Sequence, residues 1–396
     1  MIYLDNNAST RPAPEVSEVI CRALDEFYGN PSSGHIFGRQ AKAQIEQARK
    51  SVADLIGAKE PGEIYFTSGA TEANNIAIFG AAALAAWGGA AAIADGPSAG
   101  KGHIISQQTE HPAVLQPLKV LQGRGFEITL LPVDGDGVVS LAALEKAIRP
   151  DTVLVTIMHA NNETGVIQPI REAVNICREK NKKQKILFHA DAAQSVGKIP
   201  VDAGVLGVDM LSIAAHKFYG PKGIGALYIK RGVPLENVLM FGAGHEKGMR
   251  PGTENTPYIA GLGKACELAG KELPGRMEKL EGLRDMLRGL LAQAFPRLKV
   301  NGGNAGRLPN TLNVSFPGVD GSLLVEALKD SVAISAGSAC HEGKRSPSSV
   351  LKAMGASDDE AFSSVRITLG RENTETEIKE AAALLQKAAL QLAQAR

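Results

Sequence analysis

Through its first two thirds the chain alternates short apolar runs with segments of helical period, and few folds accommodate that alternation. Ala41, Ile45, Ala48, Val52 and Leu55 recur at spacings of four and three, which predicts one face of an amphipathic helix. Strands are predicted at Ile64 to Phe66, His103 to Ser106, Phe126 to Pro132, Val153 to Met158, Ile186 to His189, Met210 to Ala214 and Ala226 to Ile229. Repeated βα units of this kind imply a largely parallel sheet, and in open parallel sheets ligands bind beyond the carboxyl ends of the strands.

After about residue 255 the texture changes. A helix from Ala260 is expected to break at Leu273-Pro274-Gly275, with a second helix marked by Met277, Leu280, Leu283, Leu287 and Leu291. A capping box, Thr374 to Glu377, opens a final helix with Ile378, Ala381, Leu385, Ala388 and Leu392 on one face. This part reads as a smaller α/β domain packed on the first.

Composition excludes several classes. Forty-three basic and 42 acidic residues give a net charge of +1, without the broad positive field of a nucleic-acid binder. With 44% hydrophobic and 21% charged residues the chain is not a disordered one. The charge-free run Ile76 to Ala94 is long enough to test as a membrane span, but ten of its residues are Ala and three are Gly. It reads instead as a buried helix running into a loop, and no membrane partner is expected. Trp87 to Gly102 reads as a surface insertion. The opening MIYLDNNAST has no secretory pattern, and the four cysteines contain no C-x-x-C pair, so a reducing, cytoplasmic setting is expected. Cys21, Cys177 and Cys266 sit in apolar runs and read as buried. No histidine or carboxylate spacing suggests a metal site.

Candidate chemistry collects after the strands. Lys217 ends the run Met210-Leu-Ser-Ile-Ala-Ala-His-Lys, just before Gly-Pro-Lys-Gly, where partial dehydration would favour the neutral amine that condenses with an aldehyde cofactor. A snorkelling lysine is the alternative. Asp191, in His-Ala-Asp-Ala-Ala-Gln194, could pair with a protonated pyridine nitrogen, with Gln194 donating to a phenolate oxygen, or could simply cap a helix. Thr67-Ser-Gly-Ala-Thr71 is a strand-to-helix turn suited to phosphate, though such turns also occur without one. His111 and the Asn161-Asn162-Glu-Thr-Gly cluster follow two other strands, and His111 could stack on a planar ring or move protons, or be structural. Cys340 lies in a small, polar stretch near His341, Lys344 and Arg345, the setting of a reactive thiol.

Together these motifs resemble the cysteine desulfurase family, in the class V branch of fold-type I enzymes dependent on pyridoxal 5'-phosphate (PLP). The likeness runs from Tyr3-Leu-Asp-Asn-Asn through Gly29-Asn-Pro-Ser-Ser, Phe66-Thr-Ser-Gly-Ala-Thr-Glu, Asn161-Asn-Glu-Thr-Gly, the His216-Lys217 strand, Arg250-Pro-Gly-Thr-Glu and Gly337-Ser-Ala-Cys to Val365-Arg366. Selenocysteine lyase is similar as well. The resemblance implies an α/β fold with a large domain, residues 15–255, around a mostly parallel seven-stranded sheet. Residues 1–14 and 256–396 would form the small domain that carries the cysteine loop.

The resemblance also implies that Lys217 holds PLP, Asp191 pairs with the pyridinium and Gln194 with the phenolate oxygen, while His111 stacks on the ring. Thr71, His216 and Thr253 of a second copy would hold the phosphate, which makes the homodimer part of the site. Arg366 would clamp the substrate carboxylate beside Asn162. L-cysteine would become L-alanine, with a persulfide left on Cys340 for a sulfur-acceptor protein. L-selenocysteine is the alternative substrate, and an inactive sulfur scaffold the alternative of another class. Two departures stand out: Ala214 replaces a serine frequent in relatives, and Pro112 stands where selenocysteine lyases resemble one another in carrying Asp.

Overall fold

The computed structural model describes residues 1–87, 102–180, 185–235, 237, 239–341 and 344–394, so all but the ends of the Trp87 to Gly102 stretch lie outside the described residues. Strand β1 (Ile2–Tyr3) leaves the N-terminus to pair far along the chain. The next seven, β2 (Ile64–Thr67), β3 (His103–Gln107), β4 (Glu127–Leu131), β5 (Thr152–Thr156), β6 (Leu187–Asp191), β7 (Met210–Ala214) and β8 (Gly225–Ile229), form one sheet in the order β2-β8-β7-β6-β5-β3-β4. Only β8 runs against its neighbours.

Alternation along the strands divides the apolar residues between the two faces of this sheet. Ile105, Val155, Phe188, Leu211 and Tyr228 join one core, and Ile104, Leu154, Leu187, Met210 and Leu227 another. Burial on both sides explains why the strands read as nearly continuous apolar runs. The strand expected to reach Met158 ends at Thr156: Ile157 N and His159 N still donate to the carbonyls of His189 and Asp191 on β6, but Met158 N, on the opposite edge, turns to the Glu110 carboxyl group.

A four-stranded antiparallel sheet lies in the C-terminal part: β12 (Ser335–Ala336), β15 (Ser364–Thr368), β10 (Thr311–Ser315) and β9 (Lys299–Val300). Strand β1 pairs in parallel with β11 (Val332–Ala333), and Ile2 and Leu4 enter the same core as Leu312, Val365 and Leu385. The capping box forms as expected, with Thr374 and Glu377 exchanging hydrogen bonds before the helix Glu375–Gln394.

Two expectations are corrected. The helix expected to break at Pro274 is continuous from Thr256 to Ala294. Its first half buries Ile259, Leu262 and Cys266 in one core of the large sheet, and its second half buries Leu280, Leu283, Leu287 and Leu291 in the core under the four-stranded sheet. Packing at both ends holds the helix together, while Pro274 and Gly270, whose carbonyl loses its donor, sit exposed where water can substitute. Cys21 is exposed rather than buried, because it lies on the outer face of the helix Pro14–Glu26, whose inward residues are Val16 and Ala23. Among the described residues, no helix is long and apolar enough to cross a membrane.

Candidate active site

The carboxyl ends of β2, β3, β5, β6 and β7 surround a cavity of about 570 Å³. The cavity brings together Thr71, His111, Asn162, Asp191, Gln194, His216, Lys217 and Arg366, eight of the ten residues singled out in the sequence. Thr253 is exposed on another loop and does not line it. The backbone of Cys340 lies in β13 (Ser338–His341), opposite Arg345 in β14 (Lys344–Pro347), and its side chain lies outside the described residues.

Lys217 closes a short helical turn after β7. Gly220 returns so close to Ala215 that a Cβ would lie 2.8 Å from the alanine side chain, and Tyr219 adopts a φ of 70°. The fold-back aims the Lys217 amine at the N-terminal segment, where it donates to the carbonyls of Asn7 at 2.8 Å and Ala8 at 2.9 Å. Among the described residues no carboxylate pairs with it. Burial, followed by the nearby Arg366 charge, lowers its pKa from the usual lysine value to about 8.

Asp191, at the end of β6, is buried and fixed from both sides. Asn74 Nδ2 donates to its Oδ2 at 2.7 Å and Ala193 N to its Oδ1 at 2.9 Å. The bond from Ala193 braces a turn rather than capping a helix, since a run of turns follows β6, and the carboxylate lines the cavity. Asn74 was not singled out in the sequence, although it follows Thr71 by three residues and so shares its side of the helix Ala70–Trp87.

Burial shifts two of the cavity's histidines toward their neutral forms. His111 Nδ1 accepts from Ala113 N at 3.1 Å, which puts the proton of the neutral ring on Nε2. Its ring is open to the cavity, yet the surrounding protein still lowers its pKa. Burial, then Lys217, brings His216 down to about 4. Behind them Glu110 is buried, accepts from Met158 N and from Gln107, and is pushed up to about 8 by desolvation.

Arg366, on β15, reaches in from the small sheet. Its guanidinium bonds Asp5 at 2.8 Å, Ser335 at 3.0 Å and the Asn162 carbonyl at 3.1 Å, but its Nε is buried without a partner. A buried, unsatisfied donor on a guanidinium can donate to a carboxylate.

The class V aminotransferase profile matches residues 2–380. The cysteine desulfurase IscS of Anaeromyxobacter dehalogenans is 46% identical over 95% of this chain and 89% of its own length. The chain belongs to the class V aminotransferase family, among its cysteine desulfurases. The human cysteine desulfurase shares 44% identity over 95% of this chain and 79% of its own. A NifS-like protein of known structure superposes with a TM-score of 0.87 at 38% identity, covering 98% of each chain. The structure of SspA in complex with cysteine superposes with a TM-score of 0.79 at 37% identity, over 93% of this chain and 99% of that one.

This family uses PLP, and the donors present fit it. They include an amine without a carboxylate partner for the aldehyde, a pinned buried carboxylate for the ring nitrogen, and the start of an 18-residue helix beside Thr71 for the phosphate.

Proposed function

We propose that this cysteine desulfurase converts L-cysteine to L-alanine and leaves the sulfur as a persulfide on Cys340, for transfer to a sulfur-acceptor protein. The observation that carries the reading is Lys217: a partly buried amine with its pKa lowered to about 8, sharing its cavity with Asp191 and Arg366.

PLP, when bound, supplies an electron sink for charge developing at the substrate Cα. Lys217 would hold the cofactor through its ε-nitrogen and, when free, would take the substrate's Cα proton. Asp191 would keep a proton on the ring nitrogen, and Gln194 would donate to the phenolate oxygen. His111, with its Nε2 proton available, would serve the ring. Thr71 and His216 would hold the phosphate from this chain, and Thr253 from the second copy of a homodimer. Arg366 takes the substrate carboxylate through its free Nε and an adjoining Nη, beside Asn162. The Cys340 thiolate then attacks the substrate sulfur, so that the C–S bond breaks as an S–S bond forms. A reducing, cytoplasmic setting completes the reading.

Incubation with L-cysteine followed by peptide mass analysis tests it. The expected result is one added sulfur on the Cys340 peptide and equimolar alanine, with Cys340→Ala losing sulfur transfer but keeping exchange of the Cα proton. A kcat/KM that favours L-selenocysteine, with negligible sulfide from L-cysteine, would sink the assignment of substrate.

A further inference from the structure

Lys198 has no part in the chemistry above. It follows Gln194 by four residues and is buried, 8% exposed, with its Nζ 2.5 Å from Gln194 Oε1 and 2.7 Å from Asn7 Oδ1. Both partners are amide oxygens, and among the described residues Lys198 forms no ion pair. A lysine buried without a counter-charge is costly, and burial, with Lys217 and Arg366 nearby, drives its pKa well below the usual value. Charged or neutral, the amine has N–H groups enough for both acceptors.

Those bonds decide which way the Gln194 amide faces. With Oε1 turned to Lys198, its NH2 group points elsewhere. One hydrogen goes to the Asn7 carbonyl at 3.0 Å, the oxygen to which Lys217 also donates, and the other has no acceptor among the described residues. Asn7 is itself immobilised. It is buried, its Oδ1 also accepts from Asn310 at 3.2 Å, and its Nδ2 donates to Thr311 at 3.0 Å and to the Asn162 carbonyl at 3.2 Å. A flipped Gln194 amide would set its N–H groups against the N–H groups of Lys198 and its oxygen against the Asn7 carbonyl.

We propose that Lys198, braced by Asn7, is a positioning residue that locks the Gln194 amide so that an N–H and not a carbonyl oxygen faces the cofactor's phenolate oxygen. The inference rests on the role given above to Gln194. A hydrogen bond donated to that oxygen stabilises its anionic form and lowers the pKa of the visible chromophore made when Lys217 binds PLP. Without Lys198 the amide is free to turn, and the bond is lost for part of the time.

The test is a spectrophotometric pH titration of the PLP-loaded protein in four forms: wild type, Lys198→Met, Gln194→Ala and the double variant. Methionine fills much the same volume as the lysine stem. Lys198→Met is expected to raise the chromophore pKa by about one unit, the size of a typical shift from a single neighbour. Gln194→Ala is expected to raise it at least as far, and adding Lys198→Met to Gln194→Ala to change nothing more. If Gln194→Ala shifts the pKa and Lys198→Met does not, the positioning role is wrong and the Gln194 role stands. An equal Lys198→Met shift in both backgrounds also overturns it, because Lys198 then acts without Gln194. If Gln194→Ala leaves the pKa unmoved, both ideas fall together. Lys198→Leu, read the same way, replaces Lys198→Met if that variant does not fold.

Discussion

The two walls of the cavity treat charge in opposite ways. On the wall built from the ends of the parallel strands, burial moves Lys217, His111 and His216 toward their uncharged forms, and behind it does the same to Lys198 and pushes Glu110 toward its protonated form. The wall built from the small sheet keeps a permanent guanidinium, Arg366, beside Asp5 at 2.8 Å. Bond making and proton transfer need groups that can change protonation near neutral pH, whereas docking a charged amino acid needs one that cannot. The division follows the fold: strand ends sunk between two apolar cores desolvate what they carry, and a small sheet beside the N-terminal segment leaves room for an ion pair.

The comparison breaks most decisively at Lys217. Lys217→Ala is expected to abolish borohydride-trappable PLP and to lower alanine production by at least ~10³-fold, the scale of losing a covalent catalytic group. Retained turnover would move the chemistry elsewhere. On the other wall, Arg366→Ala removes a charge-assisted contact of about 1.5–3 kcal/mol, so KM for L-cysteine should rise roughly 10- to 100-fold while PLP content stays near wild type. Loss of PLP from that variant would erase the distinction between the walls.

The pH dependence sharpens it. Because burial lowers the Lys217 pKa to about 8, only the fraction deprotonated at a given pH can condense with the aldehyde. Capture of PLP by the apoprotein should therefore rise about tenfold per pH unit below 8 and level off above it, by simple titration. A rate still climbing through pH 9 to 10 would mean that Lys217 keeps its ordinary, solvated pKa.

How much of this was legible in the sequence depends on the distance over which each residue acts. Strand ends could be read because an apolar run stops where a polar residue begins, which located Asp191, Lys217 and His111. Pro274 misled because helix breaking is a local rule, and here two separate cores grip one helix from either end. Asn7 and Lys198 escaped notice for a related reason. Their value lies in hydrogen bonds that join residue 7 to residues 194, 198, 217, 310 and 311, and no spacing records contacts of such sequence separation. Asn74 was closer to hand, since its offset from Thr71 is one helical turn.

The smallest expected effect concerns Ala214, which ends β7 and lines the cavity. Ala214→Ser adds one hydroxyl donor without displacing backbone, because the strand is already held by its pairing with β8. A net hydrogen bond of about 0.5–1.5 kcal/mol should tighten PLP binding roughly 2- to 13-fold, measured by equilibrium dialysis of the apoprotein. Unchanged affinity would mean that the phosphate already has all the donors it needs. In that event the wall of desolvated groups needs no further donor, and a hydroxyl at the end of β7 adds nothing to cofactor retention.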